Sequence, residues 1–179
     1  MNHIALLRGI NVGGNKLIAM SELRARLEQL GFSNPRTLLQ SGNVVFGSSR
    51  RTPPQLERLL ETDIQRHFEM SVDVFVRTAE EWNEVIARNP FRAEAKRDPA
   101  RLVVMFLRDT PAAKHLAALQ AAVVGAETAR AAGRHLYVFY PDGMGRSRLT
   151  NVALEKILMT RGSARNWNTV LKLAAAAVI

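Results

Sequence analysis

The chain has 179 residues, of which 47% are hydrophobic and 23% are charged, which is the composition of an ordinary globular protein. It contains no cysteine, and this excludes disulfides, thiolate metal ligands and a cysteine nucleophile. The first apolar run is broken at Arg8 and no stretch approaches the ~20 apolar residues of a membrane helix, so we expect a soluble, cytoplasmic protein without a signal peptide.

The net charge of +9 is unevenly distributed along the chain. Residues 1–90 hold 11 Lys and Arg against 10 Asp and Glu, whereas residues 91–179 hold 14 against 6 and so carry +8. A basic lobe attracts anions over a Debye length. Because Arg outnumbers Lys 20 to 5, as in proteins from GC-rich genomes, the charge has either a functional or a compositional origin.

The first half begins with a short strand and an amphipathic helix. His3–Arg8 is an apolar run of strand length, and a glycine-rich loop follows it. Apolar residues then recur at helical spacing from Met20 to Leu30, where Gly31 ends the helix.

A hairpin and a second helix come next. Arg36–Gln40 and Val44–Gly47 are strand-like and flank Ser41-Gly42-Asn43, which predicts a hairpin turn or, alternatively, a bulge. Thr52 can cap the second helix, with Pro53 as its first residue and Gln55 completing a capping box. The predicted buried face of this helix is Leu56, Leu59, Leu60, Ile64 and Phe68.

A strand at Val72–Arg77 completes the order β-α-β-β-α-β, the ferredoxin-like arrangement. Thr78 and Glu81 form another capping box, which opens a short helix with Trp82, Val85 and Ile86 on one side. The polar, proline-bounded stretch Asn89–Pro99 is interpreted as the linker between the halves.

The second half repeats this pattern. We predict a strand at Leu102–Leu107, a helix capped by Thr110 with Pro111 at its start, and a turn-rich loop at Pro141–Arg148. A hairpin is expected between Glu127–Arg130 and His135–Tyr140, turning at Ala132-Gly133. Two helices follow, the first marked by Val152, Leu154, Ile157 and Leu158, and the last by Trp167, Val170, Leu171 and Ala174 with Ser163 as its cap.

The predicted fold is therefore α+β, with two tandem ferredoxin-like lobes and an extra C-terminal helix. The lobes are residues 1–89 and the basic residues 90–179, and their similarity suggests an internal duplication. Since each lobe alone would bury little surface, we expect them to pack together as one unit.

The loop after the first strand is the first candidate site. Its glycines (Gly13 and Gly14 among them) let backbone N–H groups approach a ligand, and Arg8, Asn11 and Lys16 add donors suited to an anion. It is not a Walker A motif, because Asn15 precedes Lys16 and Leu17 replaces the magnesium-binding hydroxyl. The alternative is a tight connecting loop without a ligand.

Three further segments carry polar groups. Ser41 and Asn43 either belong to a simple turn or present polar groups beside the first loop. Arg146 and Arg148 lie in a second glycine loop and either bind phosphate or carboxylate, or are solvated. On the last predicted helix Arg165, Thr169 and Lys172 share a face, and Asn166, a poor helix former, is expected to make a hydrogen bond or cap.

Other site types are poorly supported. Base stacking as in RNA-recognition domains needs aromatics in the first and third strands, and only Phe46 is present there. Tyr137 and Phe139 either stack bases beside Arg134 or belong to the core. The four histidines lack zinc-ligand spacing and no G-x-S-x-G elbow occurs, so no metal and no cofactor is expected.

Three segments together resemble one known family. ALLRGINVGGNK, LLQSGNVVF and ARNWNTVLKL are similar to the bacterial family catalogued as domain of unknown function 1697, along essentially the whole chain. The resemblance implies tandem ferredoxin-like lobes and no particular activity. The positions that spell the motifs are Arg8, Gly9, Asn11, Gly13, Gly14, Ser41, Gly42, Asn43, Arg165, Asn166, Trp167 and Thr169.

Two functional hypotheses follow. The first is a binding module for an anionic ligand, either a phosphorylated metabolite or nucleic acid. The second is an enzyme acting on a small anionic substrate in a cleft between the lobes. A third, structural alternative is that the motif side chains only satisfy buried backbone groups and tie the lobes together.

Overall fold

The computed structural model describes residues 1–14 and 16–178. The first half of the chain contains four strands and three helices in these residues. They are β1 (Asn2–Leu7), α1 (Met20–Gln29), β2 (Ser33–Leu38), β3 (Asn43–Gly47), α2 (Pro53–Phe68), β4 (Val74–Thr78) and α3 (Ala79–Ala87).

The second half contains four strands and four helices. They are α4 (Arg92–Arg97), β5 (Leu102–Leu107), α5 (Ala113–Ala122), β6 (Thr128–Ala132), β7 (His135–Phe139), α6 (Asn151–Leu158), β8 (Gly162–Asn166) and α7 (Trp167–Ala177). Short 3-10 turns lie at Pro99–Arg101 and Met144–Arg146.

The strands form two four-stranded antiparallel sheets with equivalent orders, β2-β3-β1-β4 and β6-β7-β5-β8. The chain divides into two compact units, one of Met1–Glu84 together with the stretch from Lys172 onwards, and one of Val85–Leu171. The unit borders therefore lie within α3 and α7, whereas the lobes predicted from the sequence were 1–89 and 90–179.

Each unit has its own core between one sheet face and two helices. In the first unit alternate residues of β1, such as Ala5 and Leu7, are buried with Val44 and Val76 of the flanking strands. The helices add the apolar stripes predicted from their spacing, which are Leu23 and Leu27 of α1 and Leu56, Leu60 and Ile64 of α2.

The second core repeats this construction. Val103, Met105 and Leu107 of β5 are buried with Leu136 and Val138 of β7. The helix residues in this cluster are Leu119, Leu154 and Leu158. Two residues predicted for buried helix stripes are exposed instead, Val152 on α6 and Leu171 on α7.

Both capping boxes predicted in the first half begin their helices. Gln55 Oε1 accepts from the Thr52 backbone N–H at 2.9 Å. Glu81 Oε2 accepts from the Thr78 N–H at 2.9 Å, and Thr78 Oγ1 accepts from the Glu81 N–H at 3.1 Å. These bonds satisfy N–H groups that a helix leaves without an internal partner.

The predicted cap of α5 is wrong. The helix begins at Ala113 with Ala112 as its N-cap, so Thr110 and Pro111 precede it in extended chain. The Pro111 side chain is buried, and Ala112 stays extended with φ −68° and ψ 152° before the first helical turn. Pro111 thus lies two residues before the helix and not at its first position.

The prediction that Ser163 caps the last helix is also wrong, because Ser163 lies in β8. This strand pairs with β5 from Leu107↔Gly162 to Val103↔Asn166 and so completes the second sheet. A Cβ at Gly162 would lie 2.8 Å from Met105 Cε, so glycine is needed where the strands approach. Pairing with β8 satisfies the backbone N–H and C=O groups on one edge of β5. These groups would have no partner if residues 162–166 were part of the last helix.

The stretch Asn89–Pro99, interpreted as a linker, contains the helix α4 at Arg92–Arg97. The amide of Asn89 is buried, and its Oδ1 accepts from the Phe91 N–H at 2.9 Å just before this helix. In the part of the chain that the structure describes, no helix has the length and apolar character needed to span a bilayer.

Candidate functional site

Two of the loops singled out in the sequence meet at one end of the first sheet. The Asn11 side-chain amide donates to Gln40 O at 2.7 Å and to Ile18 O at 3.0 Å, and its Oδ1 accepts from the Ile18 N–H at 2.8 Å. Asn11 itself has a left-handed φ of 54°, which asparagine tolerates. Both ends of this amide are therefore occupied by the protein backbone.

Gly42 is required by the close approach of these loops. Its φ is +74°, and a Cβ there would lie 2.7 Å from Ile10 Cδ1 and 2.8 Å from Leu7 Cβ. Its carbonyl accepts from the Leu7 N–H at 2.8 Å. The SGN motif therefore packs the hairpin turn onto the end of β1.

The Asn43 side chain is fully buried and serves the same turn. Its Nδ2 donates to Leu38 O and to Ser41 Oγ, both at 3.0 Å. A buried amide with such partners stabilises the turn conformation. Ser41 and Asn43 thus bond to each other within the turn.

The cations of the first loop are engaged by the segment before β4. Arg8 Nη1 lies 3.6 Å from Asp73 Oδ2, and Lys16 Nζ donates to Ser71 O at 2.7 Å. Gly13 and Gly14 form an exposed tip with φ values of +62° and +77°. Most of the donors predicted here for an anion have a partner within the protein.

The predicted residues of the second unit lie in two places. Arg146 and Arg148 are exposed in the loop after β7, and Arg146 lines a cavity of about 270 Å³. Glu127 and Asp142 line the same cavity. A hydrogen bond from Ser147 is the main cause that lowers the pKa of Glu127, so a carboxylate is favoured there and competes with any anion.

Arg165, Thr169 and Lys172 do not share the helix face that the sequence predicted, because Arg165 lies in β8. Its Nη1 donates to Ala164 O at 2.7 Å and to Ser163 Oγ at 2.8 Å, and burial lowers its pKa to about 10. Asn166 is the residue that caps α7, since its Oδ1 accepts from the Thr169 N–H at 3.0 Å. A capping role for Asn166 was one of the expected alternatives and is confirmed.

Tyr137 and Phe139, for which base stacking was the alternative, belong to the core. Tyr137 is buried and its hydroxyl donates to Val85 O at 2.7 Å, while Phe139 is buried with Arg97 5.9 Å from its ring centre. Neither ring offers a face to a nucleobase.

A cavity in the first unit involves residues that the sequence analysis overlooked. It measures about 510 Å³ and lies between the α1–β2 connection and the β3–α2 connection. Two arginines, Arg50 and Arg51, line it with three serines, Ser33, Ser48 and Ser49, and none of the described residues that line it is Asp, Glu or His. The other lining residues are Met1, Leu30, Gly31, Phe32 and Gly47.

Local backbone features give this cavity its shape. Gly31, with φ +81°, ends α1 and turns the chain into β2. Ser33 pairs with Gly47, and a Cβ at position 47 would overlap Ser33 Oγ. The register then shifts between Ser33 and Arg36, with Asn34 at φ 47°. A larger residue at position 47 would displace the Ser33 hydroxyl where the two connections run side by side.

The signal in the sequence was the run Ser48-Ser49-Arg50-Arg51, directly before the capped start of α2. Adjacent arginines and hydroxyls before a helix N-terminus form a donor-rich segment. In the described part of the chain, neither Arg50 nor Arg51 has a side-chain hydrogen bond or ion pair. No group of three or more His, Cys, Asp or Glu in residues 1–14 and 16–178 is arranged to hold a metal.

Fold and site together define an α+β protein of two four-stranded antiparallel sheets with a basic cavity in its first unit. The chain belongs to the family described as "Protein of unknown function (DUF1697)", whose model matches residues 1–137. This range includes the first two motif segments. None of the curated proteins compared with the chain matches it.

Among solved structures, the chain is similar to the conserved bacterial protein SP0830 from Streptococcus pneumoniae. The two are 22% identical, with a TM-score of 0.77 and 97% of each chain covered. At this identity the likeness concerns the fold.

Proposed function

We propose that the protein binds an anionic ligand, and that the cavity lined by Arg50 and Arg51 is its binding site. The single observation that carries the proposal is a pair of adjacent arginines lining one cavity whose described lining residues include no carboxylate. Two exposed arginines without a carboxylate partner among the described residues give the cavity a positive potential, which favours a negatively charged ligand.

The start of α2 adds to this positive potential. The cavity lining ends at Arg51, next to the N-cap Thr52 of a 16-residue helix. The first turn of this helix contains no acidic residue. Roughly half a positive charge at a helix N-terminus is therefore left without a compensating side chain.

Binding is favoured over catalysis at this cavity. Its side chains offer serine hydroxyls and guanidinium groups but no His, Asp or Glu, and so no general base to activate a nucleophile. The site residues predicted from the sequence remain a separate prediction, since many of them hydrogen-bond to the backbone or to another side chain of the protein. They are Arg8, Asn11, Gly13, Gly14, Lys16, Ser41, Asn43, Arg146, Arg148, Arg165, Asn166 and Thr169.

We further propose that both units are ferredoxin-like lobes that arose by duplication. What supports this is the equivalent strand order of the two sheets and the repeated succession β-α-β-β-α-β followed by a helix. The protein would act in the cytoplasm, where phosphorylated metabolites and nucleic acids occur.

The test is calorimetric titration of the full chain with inorganic phosphate, sulfate and a short RNA at low ionic strength. We expect the double variant Arg50→Gln, Arg51→Gln to weaken binding by roughly tenfold or more, because each charged hydrogen bond contributes about 1.5–3 kcal/mol. The matched control is Arg58→Gln, Arg66→Gln, which removes the same charge from exposed positions on α2 of the same unit. It should leave binding within about twofold.

Two results would count against the proposal. One is the absence of binding of any anion at low ionic strength, where electrostatic attraction is strongest. The other is an equal loss in both double variants, which would mean nonspecific charge attraction. A loss confined to Arg146→Gln, Arg148→Gln would move the site to the loop of the second unit.

A further inference from the structure

We infer that the ligand of the Arg50–Arg51 cavity is a small phosphate monoester and not a nucleic acid, an inference that rests on the proposed function. The cavity offers two distinct environments. Arg50, Arg51 and the serines supply cationic and hydroxyl donors, and Met1, Leu30 and Phe32 supply an apolar wall.

The cavity has room for more than an inorganic ion. At about 510 Å³ the cavity falls within the roughly 300–1,000 Å³ of small-molecule sites. A phosphate group alone would fill only a small part of it. The remaining space is partly bordered by the apolar wall and has room for an organic group attached to the phosphate.

The charge matches a monoester. A phosphate monoester carries about −1.5 to −2 near pH 7, and its three terminal oxygens accept forked hydrogen bonds from two guanidinium groups. A phosphodiester has a single negative charge and two free oxygens. Arg50, Arg51 and the three serines of the lining provide enough donors for the three terminal oxygens of a monoester.

The wall at Phe32 is rigid. Its ring lies 4.5 Å from the ring of Phe46, centre to centre, and both are buried in the first core. Phe46 in turn stacks with the His3 ring at 5.7 Å. Because Phe32 is packed against Phe46, and Phe46 against His3, the Phe32 side chain is already ordered without a ligand. Binding therefore loses little conformational entropy at this side chain.

The aromatic residues disfavour nucleic acid as the occupant. Proteins that bind single strands stack bases on accessible aromatic rings. In residues 1–14 and 16–178 every Phe, Trp and Tyr is buried apart from Phe68, which is half-buried on α2. Phe68 is absent from the cavity lining. Phe32 lines the cavity but is only 5% exposed, too little to stack a base, so a nucleic acid would lack an aromatic stacking partner here.

The experiment compares four probes by calorimetry on the full chain: inorganic phosphate, phenyl phosphate, phenyl methyl phosphate and a short RNA. We expect phenyl phosphate to bind with one-to-one stoichiometry and roughly tenfold tighter than either inorganic phosphate or the diester. Leu30→Gln should weaken phenyl phosphate severalfold and leave inorganic phosphate unchanged, because it alters the apolar wall and not the arginines. Leu30 also packs against the first core, so circular dichroism must show that the variant is folded.

The outcomes distinguish failure of the monoester inference from failure of the proposed anion binding. Equal affinity for inorganic phosphate and phenyl phosphate would overturn the ester while leaving an anion site. Equal affinity for phenyl phosphate and its methyl ester would overturn the monoester. Tighter binding of RNA than of phenyl phosphate, lost in the Arg50→Gln, Arg51→Gln variant, would assign the cavity to nucleic acid. No binding of any probe would remove the proposed function itself.

Discussion

Replacing Gly42 by alanine tests whether the SGN motif exists to bring two loops into contact. The new Cβ would lie 2.7 Å from Ile10 Cδ1 and 2.8 Å from Leu7 Cβ, on a backbone with φ +74°. A non-glycine residue in the left-handed region costs about 1–2 kcal/mol, and overpacking a tight core adds about 1–3 kcal/mol. We expect Gly42→Ala to lower the free energy of unfolding by about 2–5 kcal/mol.

The matched control is Gly13→Ala in the neighbouring loop. Gly13 has a similar φ of +62°, but nothing lies within 4 Å of the added Cβ. Gly13→Ala should therefore lower the free energy of unfolding by about 1–2 kcal/mol, the cost of a left-handed backbone conformation alone. Urea denaturation followed by circular dichroism at several protein concentrations measures both variants under the same conditions.

A second comparison isolates the contact with Ile10. In the Ile10→Ala background the alanine at position 42 gains space, so its added cost should fall toward that of Gly13→Ala. Equal destabilisation by Gly42→Ala and Gly13→Ala in the native background would refute the reasoning, because it would leave only a generic glycine effect.

Two further predictions concern buried ionisable groups. Burial and the N-terminal ammonium lower the pKa of His3 below its usual 6.5, against the opposing effect of Glu80 and Glu81, so the unfolded chain binds the proton more tightly. The free energy of unfolding should therefore fall as the pH drops below about 6.5, less steeply in His3→Phe, and parallel pH profiles of the two proteins would contradict this. The Arg77 Nη1 atom lies 3.8 Å from Glu57 Oε1, and both side chains are buried. Replacing Arg77 by Met should lower the free energy of unfolding by about 3–5 kcal/mol, since the buried Glu57 carboxylate loses its cation and keeps the bond from the Val76 N–H. Adding Glu57→Leu should recover part of that loss in urea titrations, and a further loss instead would show that the carboxylate serves Val76 more than Arg77.

Elements with strong local signals were predicted well from the sequence. The caps at Thr52 and Thr78 and the stop at Gly31 lie where the structure has them. The strand at Leu102–Leu107 was predicted with its observed bounds. These features depend on backbone bonds and apolar spacing within a few residues, so the local sequence is sufficient.

Elements that depend on a distant partner were predicted poorly. The segment that forms β8 has five small or polar residues, including an arginine, and no strong strand signal. It forms a strand because it pairs with the edge of β5. Likewise Val152 and Leu171 follow a helical apolar pattern, yet the packing of their helices leaves them exposed. Spacing along the chain cannot tell which side of a helix a distant segment covers.

The same division applies to function. The unusual features can be seen in the sequence alone: the loop glycines, Asn11, Asn43 and the charge imbalance between the halves. The folded chain shows that Asn11 and Asn43 hydrogen-bond to backbone carbonyls, and that Arg50 and Arg51 line a cavity whose described lining residues include no acidic residue. The physical reason is that a hydrogen bond or a free charge depends on which atoms folding brings within a few ångströms, and those atoms come from segments far apart in the chain.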